Sequence, residues 1–286
     1  MTWTISNTLR AATLVTLFAL AGAASSLAGS APFEAMSPRG AGQEVDVALI
    51  LAVDVSGSID REEAQLQRQG IAEAFLSKEV VQAIQSGARG QIGVSVIYFS
   101  SRDYGVMSVP VNWTVVRDQQ SAQEFVTQFL GAQRQRGIGT SISDALELAQ
   151  RAFTALPYRS TKQVIDISGD GQNNAGRPVL DVRDEVLAKG ITINALPIID
   201  DSTPQDLDRY FQGCVIGGPA AFVLPAKGFT DFARAMRRKL VLEISGLTPE
   251  EGADPLLVKV AAAVPPRPVP RTNTPPYQGA CDVPMF

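Results

Sequence analysis

The apolar residues of this chain fall into two patterns that alternate along it. VALILAV (47–53) is apolar without interruption, as a strand covered on both faces requires. The next segment, REEAQLQRQGIAEAFLSKEVVQAI, spaces Leu66, Gly70, Ile71, Ala74, Phe75, Val80, Val81 and Ile84 at helical intervals, and Asp60 with Glu63 supplies a capping box at its start. IGVSVIYF (92–99) and VMSVPVNWTVV (106–116) read as two strands close enough for a hairpin, and Pro110, which has no N–H for a ladder, puts the second at a sheet edge. SAQEFVTQFLGAQ reads as helix, and so does SISDALELAQRAFTAL, with Ser141 and Asp144 placed at its N-terminus. QVIDISGD (163–170) is strand-like and breaks at Gly169 and Gly171. VLDVRDEVLAKG, ITINALPII, a short helix around Gln205 to Phe211, AAFVLPA and FTDFARAMRRKLVLEI complete the series.

Strands alternating with helices in this order predict an α/β fold. The expected form is a Rossmann-like, doubly wound, mostly parallel sheet with one antiparallel edge strand and helices on both faces. The flanks differ in character. Arg10, then AATLVTLFALAGAA, then small residues with Ala23 and Ala28 as cleavage points, follow the order of a secretory signal. The apolar stretch falls short of the roughly 20 residues that span a bilayer, which weighs against a retained anchor. Residues 1–28 are therefore read as a signal peptide, 29–44 as a linker, 45–246 as the folded domain and 247–286 as a Pro-rich tail, whose VPPRPVPRTNTPPYQ should run extended. After cleavage no stable membrane span is expected, and the protein is exported.

Export changes how the cysteines read. An even count in an oxidising compartment favours a Cys214–Cys281 bridge over two unrelated thiols. Closing so long a loop would stabilise the fold by about 4 kcal/mol in the chain-entropy model, and would pin the tail. Charge narrows the partners: 25 Lys and Arg against 29 Asp and Glu, with no long basic run, lack the footprint of a nucleic-acid binder. Two cysteines without a single histidine also cannot make the usual zinc set.

The candidate chemistry lies at strand ends, where open α/β sheets bind ligands. DVSGS after the first strand supplies Asp54, Ser56 and Ser58; GIGTS before a helix supplies Thr140; SGDGQNN after QVIDIS supplies Asp170. All five offer oxygen, the donor preferred by hard cations such as Mg²⁺ or Mn²⁺. With these loops in this order over roughly residues 45 to 245, the sequence resembles the von Willebrand factor type A (vWA) domain, whose metal-ion-dependent adhesion site (MIDAS) uses Asp-x-Ser-x-Ser, a separate Thr and a separate Asp. The resemblance implies that Ser56 and Ser58 bind the cation through their hydroxyls, Thr140 directly or through water, and Asp54 and Asp170 mainly through water. It also implies that an acidic side chain of a partner protein completes the shell. One departure is Ser168-Gly169-Asp170, where the family more often has Thr before the last Asp. YFQGCVIGGPAAFVLPA is similar to a set of uncharacterised exported bacterial proteins with this domain, which points to a periplasmic or extracellular location.

Other residues carry less. Asp166, on the pleat parity of Ser168 and Asp170, reads either as a buried acid supporting the site or as a structural hydrogen-bond partner. Asn173 and Asn174 line the site or satisfy their own loop. Arg134 and Arg136, which precede GIGT, read first as solvated loop charges and second as attractors of an acidic partner, and Arg237, Arg238 and Lys239 as cations suited to the end of the last helix. The Asn112-Trp113-Thr114 sequon means little without a glycosylating host. The expectation is a non-enzymatic, metal-dependent protein-binding module. The alternatives are a hydrolase that uses the same cation, with only Asp166 or Asp170 available as base, or a structural envelope protein.

Overall fold

The computed structural model describes residues 1–2, 42–103, 105–250 and 279–282; the expected signal peptide, linker and tail fall largely outside them. All the elements lie in the unit Pro32–Phe286. In chain order they are β1 (Glu44–Val45), β2 (Val47–Asp54), α1 (Arg61–Leu76), α2 (Lys78–Gln85), β3 (Ile92–Phe99), β4 (Met107–Val116), α3 (Gln119–Gly131), α4 (Ile142–Thr154), β5 (Arg159–Ser160), β6 (Gln163–Gly169), α5 (Val179–Leu187), β7 (Thr192–Ile199), α6 (Leu207–Tyr210), β8 (Ala226–Lys227) and α7 (Phe232–Ser245). The main sheet has six strands in the order β4-β3-β2-β6-β7-β8, and β1 pairs with β5 in a separate ladder. Within the main sheet only β3–β4 is antiparallel. The doubly wound sheet expected from the alternating patterns is the one observed.

The unbroken apolar run of β2 explains why it sits inside the sheet. All of its residues are buried, and the pleat divides them between two cores. Val47, Leu49, Leu51 and Val53 pack with Ile71, Phe75, Phe125, Phe129 and Leu240 from α1, α3 and α7, whereas Ala48, Ile50 and Ala52 pack with Leu146, Ala149 and Val182 from α4 and α5. Each fully buried Leu, Ile or Phe contributes about 1.5–3 kcal/mol, so this one strand links both halves of the core. Where α1 meets α7 the backbones come close: a Cβ on Gly70 would stand 2.7 Å from Phe232 Cδ1 and 3.0 Å from Ala233 N. Only glycine fits there unshifted.

Two local readings need correction. The helix expected to run through Ile84 breaks at Ser77, whose hydroxyl donates to Ala74 O at 2.8 Å and accepts from Val80 N at 3.3 Å. One residue thus closes α1 and opens α2. At the edge, β4 carries Pro110 as expected, and its pairing with β3 shifts register on either side of Val96. At the opposite edge β8 has two residues.

Cys214, in the π-helical turn Phe211–Val215, is bonded to Cys281 with their Cα atoms 5.5 Å apart. Lys239 is the larger surprise. Rather than serving the end of the last helix, it is fully buried, its Nζ 2.8 Å from Asp166 Oδ1 and also paired with Glu243. Asn194 Nδ2 donates to Glu243 Oε1 at 2.7 Å, and Lys162 Nζ to the Glu243 carbonyl at 3.0 Å. Burial, then the Glu243 charge, pushes the Asp166 carboxyl up to about 7. Asp166 is therefore a structural partner of α7. Removing one member of a buried pair costs about 3–5 kcal/mol because the other is left uncompensated. Lys239→Met should lower unfolding stability by about that much in chemical denaturation, whereas exposed Arg237→Ala should change it by less than about 0.5 kcal/mol.

Candidate functional site

The carboxyl ends of β2 and β6 are neighbours, and the chain leaves them in opposite directions, from β2 towards β3 and from β6 towards β7. Between two such ends the sheet opens a crevice. Asp54 ends β2 with its side chain fully buried, and its Oδ1 accepts from Ser56 N at 2.7 Å. That turn aims Ser56 Oγ at Ser58 Oγ, 3.1 Å away, and Ser58 Oγ donates to Asp170 Oδ1 at 2.9 Å across the crevice. Asp170 follows the end of β6. The first and third loops are thus joined through their own side chains.

Thr140 arrives by a different route. Its N–H donates to Asn174 Oδ1 at 2.7 Å, and Asn174 N–H donates back to the Thr140 carbonyl at 2.9 Å. Its Oγ1 lies 3.3 Å from where a Cβ on Gly171 would stand, which places it beside the residue that follows Asp170. Asn173 Oδ1 accepts from Ser143 N at 3.1 Å at the start of α4, where Ser141 caps the helix as expected by accepting from Asp144 N. Both asparagines satisfy loop backbone. Ser56, Ser58 and Asp170 are linked directly, Asp54 joins them through the Ser56 N–H, and Thr140 stands beside Gly171 through its bonds to Asn174.

Several contributors were not recognised as such in the sequence. A Cβ on Gly169 would fall 2.7 Å from Asp54 Oδ2, so the departure from Thr at the end of the strand pattern is the space into which Asp54 leans. Arg134 and Arg136 are not idle loop charges. Arg136 Nη2 donates to Gly57 O at 2.6 Å within the DVSGS turn, and Arg134 Nη2 to Asp60 O at 2.7 Å just after it, both from the loop that leads to Thr140. Gly137 N–H adds a bond to Val55 O at 2.8 Å. No spacing rule links positions about 75 residues apart, and composition alone gave no signal for this grip. At the rim, Gly57 and Ser58 are exposed, as is Ile138 at 64%.

The electrostatics are those of two acids short of counter-charge. Burial, then repulsion from Asp170, pushes Asp54 up to about 8. Burial also raises Asp170, with Glu63 and Asp200 adding to it and the Ser58 hydrogen bond opposing it. Asp54 Oδ2 is buried with no hydrogen-bond partner. An orphaned carboxylate oxygen beside a second carboxylate and three hydroxyls fits a hard divalent cation, whose charge the two acids would balance. Among the described residues no three His, Cys, Asp or Glu side chains gather as a metal cluster, so hydroxyls would have to complete any oxygen set here.

Residues 44–248 match the family described as "Protein of unknown function (DUF1194)". No curated protein sequence matches the chain. Among solved structures it is similar to proximal thread matrix protein 1 (PTMP1) from the mussel byssus, at 17% identity and TM-score 0.54, with 71% of this chain covering 49% of that one. The same protein with a zinc occupied MIDAS motif aligns at 16% identity and TM-score 0.51, over 71% of this chain and 49% of that one. The pilus adhesin SpaC from Lactobacillus rhamnosus GG, in an open conformation, aligns at 16% identity and TM-score 0.51, over 73% of this chain and 31% of that one. The chain spans about half the length of the mussel protein and a third of the adhesin. At these identities the likeness is one of fold, and the fold is vWA-like.

The raised Asp54 sets a pH dependence. Unfolded, this carboxyl titrates near its ordinary 3.8, whereas folded and without a cation it keeps its proton to about 8. The folded state binds the extra proton across that window, so this contribution is intact below the lower value and is lost as pH rises through the upper one. In chelator, the melting temperature should be lower at pH 8 than at pH 6. Adding Mg²⁺ should raise it more at pH 8, and Asp54→Asn should flatten both responses. An Asp54→Asn protein that still responds to Mg²⁺ like the parent would refute this assignment.

Proposed function

We propose that this chain, which belongs to the DUF1194 family, is an exported binding module that holds Mg²⁺ or Mn²⁺ at Asp54, Ser56, Ser58, Thr140 and Asp170 and captures a partner protein through a carboxylate. One observation carries the reading: Asp54 Oδ2 is buried beside Asp170 with no hydrogen-bond partner. Such an oxygen is costly to leave unpaired and calls for either a proton or a cation. When bound, the cation supplies an electrostatic pull on one more anionic oxygen. The chain's own part is to fix the geometry. Asn174 and the Gly137–Val55 bond hold Thr140 and the first loop in register, and Arg136 on Gly57 with Arg134 on Asp60 fixes the backbone in and just after DVSGS. With Ser58 at the exposed rim, a partner's side chain has access.

The comparisons lend support at the level of kind. One structural neighbour carries a zinc occupied MIDAS motif and another is a pilus adhesin. The all-oxygen donor set here favours a harder ion than zinc. A hydrolase would need a placed base; the chain has no histidine, and Asp166 is committed to Lys239 on the far side of its strand's end. The Cys214–Cys281 bridge supports an oxidising compartment, the bacterial periplasm or exterior. Among the described residues no helix is long and apolar enough to cross a membrane.

Affinity capture from an exported-protein extract tests the whole reading. Immobilised protein should retain a specific partner in Mg²⁺ and release it in chelator, and Asp54→Ala should retain none in either. Retention of the same proteins in all three conditions rules out cation-dependent capture.

A further inference from the structure

The described residues of the tail do more than end in a cross-link. Asp282, next to the bridged Cys281, uses one oxygen twice: its Oδ1 accepts from Asn173 Nδ2 at 2.8 Å and from Val179 N, the first residue of α5, at 2.9 Å. The Cys281 carbonyl accepts from the Tyr210 hydroxyl at 2.9 Å, and the same hydroxyl accepts from Asn173 N at 2.9 Å. Asn173 is thereby held from both its backbone and its side chain. It lies three residues after Asp170, and its remaining polar atom, Oδ1, takes the Ser143 N–H at the start of the helix that follows Thr140. The helix α5 has no side-chain cap of its own, since Pro178 stands at its N-cap, so Asp282 supplies the acceptor that local sequence does not.

We infer that Asp282, delivered by the Cys214–Cys281 bridge, is a positioning residue of the cation site, so that cation affinity follows the oxidation state of the bridge. The inference rests on the cation reading given above. Its physical basis is effective concentration: the bridge keeps one carboxylate within reach of Asn173 and Val179, groups that would otherwise draw it from a long tail segment. Reduction by a dithiol breaks the Sγ–Sγ bond. Two electrons and two protons pass to Cys214 and Cys281 as thiols, and the reagent closes to its own disulfide. Asp282 is then free to leave, Val179 N loses its acceptor, Asn173 Nδ2 keeps only its longer bond to the Arg177 carbonyl at 3.4 Å, and the loop that carries Asp170 and braces Thr140 loses one wall. Partners that orient metal-site residues change metal affinity by roughly 10–100-fold when removed.

The test is a calorimetric Mg²⁺ titration of the full oxidised chain, its Asp282→Ala and Asp282→Asn variants, the Cys214→Ser/Cys281→Ser double variant, and wild type reduced with dithiothreitol and freed of it under argon. Hydrogen exchange of residues 170–174 is followed in parallel. Asp282→Ala, the double variant and the reduced protein should each bind Mg²⁺ about tenfold more weakly, with faster exchange confined to that loop and the start of α5. Asp282→Asn should keep the wild-type value, because its amide oxygen can accept the same two bonds. Wild-type affinity and exchange in Asp282→Ala overturn the inference while leaving the cation reading intact. Oxidised wild type that takes up no Mg²⁺ overturns both, and the wild-type titration alone tells the two failures apart.

Discussion

Two carboxylates placed at adjacent strand ends, both withdrawn from water, cannot ionise together without help. Burial raises both carboxyls, and repulsion from Asp170 adds to it at Asp54. The crevice of a doubly wound sheet brings the ends of β2 and β6 side by side. Hydroxyls from Ser56 and Ser58 relieve part of the strain, and the Gly169 backbone lets Asp54 lean in where any side chain would block it. What remains is a buried Asp54 oxygen with no donor. A fully satisfied crevice would be more stable and would have nothing to offer.

The contrast with the other buried acid on β6 sharpens the point. Asp166 lies four residues before Asp170 on the same pleat parity, yet it is ion-paired from within by Lys239, which also pairs with Glu243, to which Asn194 donates. One strand therefore carries two buried carboxylates with opposite outcomes. The inner one fastens a helix to the sheet, and the outer one stays short of counter-charge at the mouth. Side chains of the same type were sorted by what faces them rather than by their position in a motif.

Much of this could be read in the chain, and what could not has a common cause. The unbroken run of β2, the capping box at Asp60, the edge Pro110 and the three oxygen-bearing loops are local signals, set by residues within a turn or a strand of one another, and each is found where its pattern placed it. Ser77 was missed because a serine within a helical period looks like a solvent-facing residue until its hydroxyl is seen to bond both ways. The burial of Lys239, the grip of Arg134 and Arg136 on the first loop, and the reach of Asp282 to Asn173 are contacts between distant segments. Nothing in a single sequence marks which charged residue will meet which backbone carbonyl. The pairing exists only once the sheet has set the distances.

The margins of the sheet have a consequence of their own. A row of unpaired N–H and C=O groups along a flat outer strand is a ready template for pairing with any passing chain. Here β4 interrupts that row with Pro110 and slipped register, and β8 is too short to offer one. Among the described residues, neither edge of the main sheet offers a long, regular row of backbone groups to a further strand.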